Sequence, residues 1–230
     1  MADREEVIEE QPIDGRRLGR HVQHDERSKA YRARMATALV STIHTRRCDA
    51  YDQGELGSCT GNAIAGGLMT DPHYRPARVL GEVEAVALYS VASNYFDAIP
   101  GGWPPIDTGS TGLAVAKAAQ NLGYISSYGW AFGLDEALRA LVVAPIIIGI
   151  NWYSSFDFPS STGNITITKN AYVRGGHEVV LDRINVSKKT VGGMNSWGPY
   201  YGVNGRFKMG WATFGRLLNE HGDATQFVSV

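Results

Sequence analysis

Cysteine is nearly absent: the 230 residues hold two, Cys48 and Cys59. That excludes a disulfide framework and a four-thiolate metal site, and it suits a reducing compartment. Net charge is nearly absent too. A formal −1 at pH 7 gives no electrostatic reason to expect nucleic acid as a partner. No apolar run reaches the roughly 18 residues of a membrane span. The charged opening, MADREEVIEEQPIDGRR, lacks the apolar core of a secretory signal. The expectation is therefore a cytoplasmic protein with no membrane partner. There is no internal repeat and no Gly-Lys-Ser/Thr phosphate loop. His21, His24, His44, His73 and His221 show no metal-ligand spacing, so neither metal nor cofactor is expected.

What remains is the composition of an ordinary globular chain, 43% hydrophobic and 20% charged, long enough for a sizeable core. Its first half reads as helices: the stretch after Thr60, Gly81–Phe96, Leu113–Leu122 and Leu134–Val142. Its second half reads as strands: Pro145–Trp152, Ile165–Thr168, His177–Ile184, Thr190–Ser196 and Gly205–Met209. Helices first and strands after predict an α+β fold in two lobes.

One stretch stands out chemically. Cys59 lies between Gly57-Ser58 and Thr60, at the start of a small, apolar helical run. A helix N-terminus favours an anion, so a thiol there is biased toward thiolate, its nucleophilic form. Such a nucleophile needs a base, and the base needs an orienting group. His177, entering an apolar strand, and Asn195, in an Asn-Ser-Trp-Gly run, supply those residue types in that order.

Four local motifs occur together: DQGELGSC, GGHEVVL, NSWGPYYGVNGRFKM and the apolar run PIIIGINWYSSF. In these the chain resembles the papain-like cysteine peptidase family, most closely its prokaryotic or phage-type members. The resemblance spans roughly residues 51 to 210. It implies a two-lobe fold, with a helical lobe at about 59–142 and a β-barrel-like lobe at about 143–230. The active site would lie in the cleft between them.

By the same resemblance Cys59 is the nucleophile, His177 the base, Asn195 its orienter and Gln53 the oxyanion-hole side chain. Trp197 shields the Asn195–His177 hydrogen bond. Gly109 and Ser110 form the strip that binds substrate backbone, and Gly176, Glu178 and Trp197 also contact the substrate. The implied activity is endopeptidase cleavage of a protein or peptide by a monomer. An amidase or isopeptidase on the same fold, or a non-catalytic peptide-binding module, are the alternatives.

Three positions depart from the family pattern: Leu56, Thr60 and Glu178. Glu178 replaces a small residue, which suggests either a pocket for Arg or Lys of a substrate or a local ion pair with Arg174 or Arg183. Residues 1–45 read as an N-terminal extension before a domain at 46–230. Met1–Gln11 is acidic, with no apolar pattern, and Gly15–Arg34 is basic. The expectation is a short arm packed on the domain surface, too short for an inhibitory propeptide.

Overall fold

The computed structural model describes Glu5–Glu6, Glu10 and residues 16–230. The acidic opening, Met1–Gln11, therefore lies mostly outside the described residues. The described elements are β1 (Glu5–Glu6), β2 (Arg20–Gln23), β3 (Thr42–Ile43), α1 (Cys59–Leu68), α2 (Glu82–Tyr95), β4 (Ser110–Thr111) and α3 (Gly112–Asn121). There follow β5 (Ile125–Trp130), α4 (Leu134–Val143), β6 (Ile146–Tyr153), β7 (Val173–Asn185), β8 (Thr190–Met194), β9 (Arg206–Gly210), α5 (Trp211–Asn219) and β10 (Asp223–Ser229).

The main sheet runs β5-β10-β6-β7-β8-β9, antiparallel throughout, with β3 added to β7. It is an open path and not a closed barrel. Helices cover both faces. Ile146, Ile148 and Ile150 of β6, with Val179 and Leu181 of β7, pack with α4 and α5. Ile147 and Val180 point the other way, into the core of α1, α2 and α3. Burial on both faces explains why β6 reads as an unbroken apolar run and not as an alternation.

The sheet takes in more chain than the strand pattern predicts. β5, from the unassigned segment between two expected helices, pairs with β10, and neither β10 nor α5 was anticipated. Conversely Ile165–Thr168 forms no strand; only an isolated bridge joins neighbouring Asn164 to Lys208.

All ten residues of α1 are buried. Its glycines cost about 1 kcal/mol each in helix propensity, and two of them are required by contact. A Cβ at Gly61 would overlap the Ala85 carbonyl of α2, and one at Gly67 would come within 2.7 Å of the Phe227 ring. We expect Gly61→Ala to lower stability by about 1–3 kcal/mol, because overpacking outweighs the propensity gain. Denaturant unfolding checks this; an unchanged or raised midpoint would contradict it.

Candidate active site

Cys59 is the first residue of α1, and its neighbour Ser58 caps the helix without a side-chain bond. The helix start presses on β7, where the backbone N–H of Glu178 donates toward the Cys59 sulfur. His177 precedes Glu178 on that strand, in register with Ile150 of β6. Asn195 follows β8, anchored by its N–H on the Gly205 carbonyl at 2.9 Å.

His177 Nε2 lies 2.7 Å from Asn195 Oδ1. That oxygen can only accept, so Nε2 carries the proton and Nδ1 keeps its lone pair. Nδ1 is buried without a hydrogen-bond partner. The Trp197 ring stacks on the imidazole at 5.0 Å between centroids, and Trp152 meets it edge-on at 4.7 Å. The two indoles thus wall the His177–Asn195 bond away from water.

Gln53 is set by its surroundings. Its Oε1 accepts from Ser196 Oγ at 2.6 Å, which turns Nε2 the other way, toward the carbonyls of Leu56 at 2.8 Å and Leu18 at 3.4 Å. Ser196 was not singled out in the sequence, although it lies in the Asn-Ser-Trp-Gly run. Asp107 was also missed. It accepts from the Gly57 N–H at 2.9 Å and from Tyr89 Oη at 2.6 Å, and that hydroxyl accepts from the Gly109 N–H at 2.9 Å. One carboxylate therefore ties the turn before Cys59 to the Gly109–Ser110 strip.

The N-terminal arm does not lie on an outer surface. Leu18 is fully buried and Arg20 is 1% exposed. β2 pairs in parallel with β4, and residues 17–20 touch the predicted site residues one after another. Trp197 Nε1 donates to the Arg17 carbonyl at 3.1 Å, and Gln53 Nε2 reaches the Leu18 carbonyl. The Gly19 N–H donates to the Gly176 carbonyl at 3.2 Å, and the Ser110 N–H donates to the Gly19 carbonyl at 2.8 Å. Gly19 has φ +138°, and a Cβ there would overlap the Gly57 backbone, so the crossing admits glycine alone. Neither local pairing expected for Glu178 forms. Arg174 pairs with Asp157 and Arg183 with Asp182, while Glu178 faces Asp223 and Arg20.

This cover sets the electrostatics. Cys59 and His177 are both completely buried. Loss of water holds the Cys59 thiol far above its usual range, against the opposing pull of the Glu178 N–H. Loss of water also pushes His177 down to about 3, against the bond to Asn195. In this conformation burial disfavours the charged form of both groups.

No protein-family model matches the chain, and no curated protein matches it in sequence. Solved structures do share its fold. Xylellain, a cysteine protease from Xylella fastidiosa, superposes with a TM-score of 0.74 over 95% of this chain and 100% of that one, at 19% identity. A procathepsin B from Trypanosoma congolense gives 0.66 over 94% and 87%, at 12% identity. The bromelain protease of Ananas comosus gives 0.55 over 80% and 94%, at 13% identity. The chain therefore has the papain-like α+β fold.

A histidine that folds with a depressed pKa contributes stability that is lost as pH falls from its unfolded value near 6.5 toward 3. Glu178, pushed above its usual range by burial and by Asp223, acts in the opposite sense. The His177 share is isolated by difference: His177→Gln should lose less stability than wild type between about pH 6.5 and 3. Denaturant midpoints across that range check it, and parallel losses would contradict it.

Proposed function

Proceeding from the papain-like fold, we propose that the chain is a cysteine endopeptidase with Cys59 as nucleophile, His177 as base and Asn195 as orienter. The observation that carries this reading is the 2.7 Å bond from His177 to Asn195, which leaves a bare Nδ1 on the strand that meets Cys59. Cys59 Sγ attacks a peptide carbonyl as its proton passes to His177 Nδ1. Gln53 Nε2 and the Cys59 backbone N–H hold the oxyanion, at roughly 3–4 kcal/mol per donor. His177 then protonates the leaving amine, and water hydrolyses the thioester. Gly176, Gly109 and Ser110 bind substrate backbone, which fits the present hydrogen bonds of Gly176 and Ser110 to Gly19. No step requires a cofactor.

The described conformation is the closed form of this enzyme. With Cys59 and His177 both buried, no carbonyl reaches the sulfur until residues 17–20 leave the cleft. Residues 17–20 belong to the segment that precedes the proposed domain at 46–230, and their withdrawal lets the thiolate–imidazolium pair form. Two free cysteines support a reducing, cytoplasmic setting, and among the described residues no helix is long and apolar enough to cross a membrane. A monomer suffices, since one chain supplies every group.

Peptide hydrolysis by purified variants tests the reading. Cys59→Ala is expected to lose all measurable turnover with the fold intact. His177→Ala loses on the order of 10²–10⁴-fold or more, and Asn195→Ala loses less than His177→Ala because it orients the base without taking the proton. Full activity in Cys59→Ala would overturn the assignment. Cleavage of side-chain amides with no cleavage of backbone peptides would make the enzyme an amidase or isopeptidase instead. Peptide binding without any turnover, even in Arg20→Ala where the arm loses its anchor, would make it a binding module.

A further inference from the structure

The slot that holds His177 is backed by a buried ion pair that the steps above do not use. Residues two apart on a strand share a face, so Ile148, Ile150 and Trp152 of β6 project on the side of the sheet where His177 and Val179 of β7 project. Trp152 opposes Gly175, one diagonal step from His177. An aromatic side chain spans such a diagonal, which is how the indole edge meets the imidazole. After β6 the chain makes a short 3₁₀ turn at Ser154–Phe156 and returns at Asp157. There Asp157 Oδ1 accepts from Trp152 Nε1 at 3.0 Å.

Arg174, three residues before the base on β7, meets the same oxygen: its Nε lies 3.3 Å from Asp157 Oδ1. Its guanidinium carbon lies 5.5 Å from the centre of the Trp197 ring, which stacks on His177. Both aromatic walls of the imidazole are therefore joined through one carboxylate, Trp152 by a hydrogen bond and Trp197 by way of Arg174. Trp152 and Arg174 have no exposed surface, and Asp157 is 1% exposed. Stability is a poor reason to bury such a pair, because apolar residues of similar volume often serve as well. The charged and titratable groups around the imidazole are Cys59 of α1, Arg174 of its own strand, Asp157 beyond Trp152, and Arg16 of the arm, whose guanidinium also lies over Trp197. Glu178 projects from the opposite face of β7. Arg174 acts on His177 as a like charge and disfavours the imidazolium.

We propose that Asp157 and Arg174 are positioning residues for the base. Asp157 fixes the Trp152 indole by its N–H and holds the Arg174 guanidinium against Trp197, so the imidazole stays in the orientation in which Nε2 faces Asn195. The carboxylate charge also offsets that of Arg174 when His177 takes the proton of Cys59. Neither residue touches the reacting atoms; both act through the ring they hold. The inference rests on the peptidase reading, in which His177 becomes an imidazolium. A guanidinium suits the role because its plane lies on an aromatic face while its edge meets a carboxylate.

Two readouts test it in full-length chains carrying Arg20→Ala, where the arm loses its anchor. The first needs no turnover. With Cys59→Ala also present, the His177 C2–H resonance is titrated by NMR and assigned by its loss in His177→Gln. Asp157→Asn keeps an oxygen for the Trp152 N–H but removes the charge, so the midpoint should fall by about half a pH unit or more. Arg174→Gln should raise it by a similar amount, and the two substitutions together should bring it back. The second readout is peptide cleavage with Cys59 in place. Asp157→Asn should lower kcat about tenfold or more with KM within about threefold, and should move the basic limb of the kcat/KM profile to lower pH. Adding Arg174→Gln should return that limb. A pair that serves stability alone would leave midpoint and limb where they are, and that result would overturn the proposal. Should Asp157→Asn not fold, Arg174→Gln alone decides, and an unmoved midpoint overturns it. Shifted midpoints with no cleavage by any variant would uphold the pair and sink the peptidase reading.

Discussion

A guanidinium does not stay inside a protein without anionic partners, and most of what is distinctive here follows from where Arg20 finds them. Asp223 and Glu178 sit on the strands either side of Gly149, and Arg20 lies between them. Once that residue is fixed, Gly19 is fixed over the Gly57 turn and Leu18 at Gln53. The backbone then covers the site, and burial disfavours the charged forms of Cys59 and His177. One buried charge cluster thus lies where the arm crosses the proposed site.

The rest of the fold presents those strands and the start of α1 rigidly. The β6–β7–β8 ladder carries His177 and delivers Asn195 at its end, while Trp152 and Trp197 enclose the bond between them. α1 holds Cys59 against this ladder through contacts so close that Gly61 and Gly67 have no room for a methyl group. Such packing resists small displacements, which a site depending on hydrogen-bond geometry requires. Ser196 and Asp107 do comparable work around it, the first orienting the Gln53 amide and the second joining two loops.

Local chemistry was the legible part of the sequence. Cys59, Gln53, His177 and Asn195 each lie in a short motif that carries its own signal, and α1 to α4 showed in the apolar spacing. What was hidden depends on distance along the chain. Arg20 and Asp223 are 203 positions apart, so the basic arm read only as a solvated charge run. β5 pairs with β10 from a segment left unassigned between two expected helices, and Ser-Ser-Tyr-Gly within it carries little strand pattern. Ile165–Thr168 has the β-branched composition of a strand, but it lies beside β9 with one bridge only. Glu178 was marked as a departure from the family pattern, yet its surroundings were sought among its sequence neighbours and lie instead on the arm and on β10.

The account stands most directly on the claim that Cys59 is an activated thiol kept silent by the arm. Alkylation of the full-length chain by iodoacetamide at about pH 6, followed at each cysteine by peptide mapping, measures this. The account predicts that Cys48 reacts ahead of Cys59 in the wild type. In Arg20→Ala, where the arm loses its anchor, Cys59 should become the faster of the two. Comparable rates at both cysteines in both proteins, or a Cys59 that stays inert once the arm is released, would contradict it.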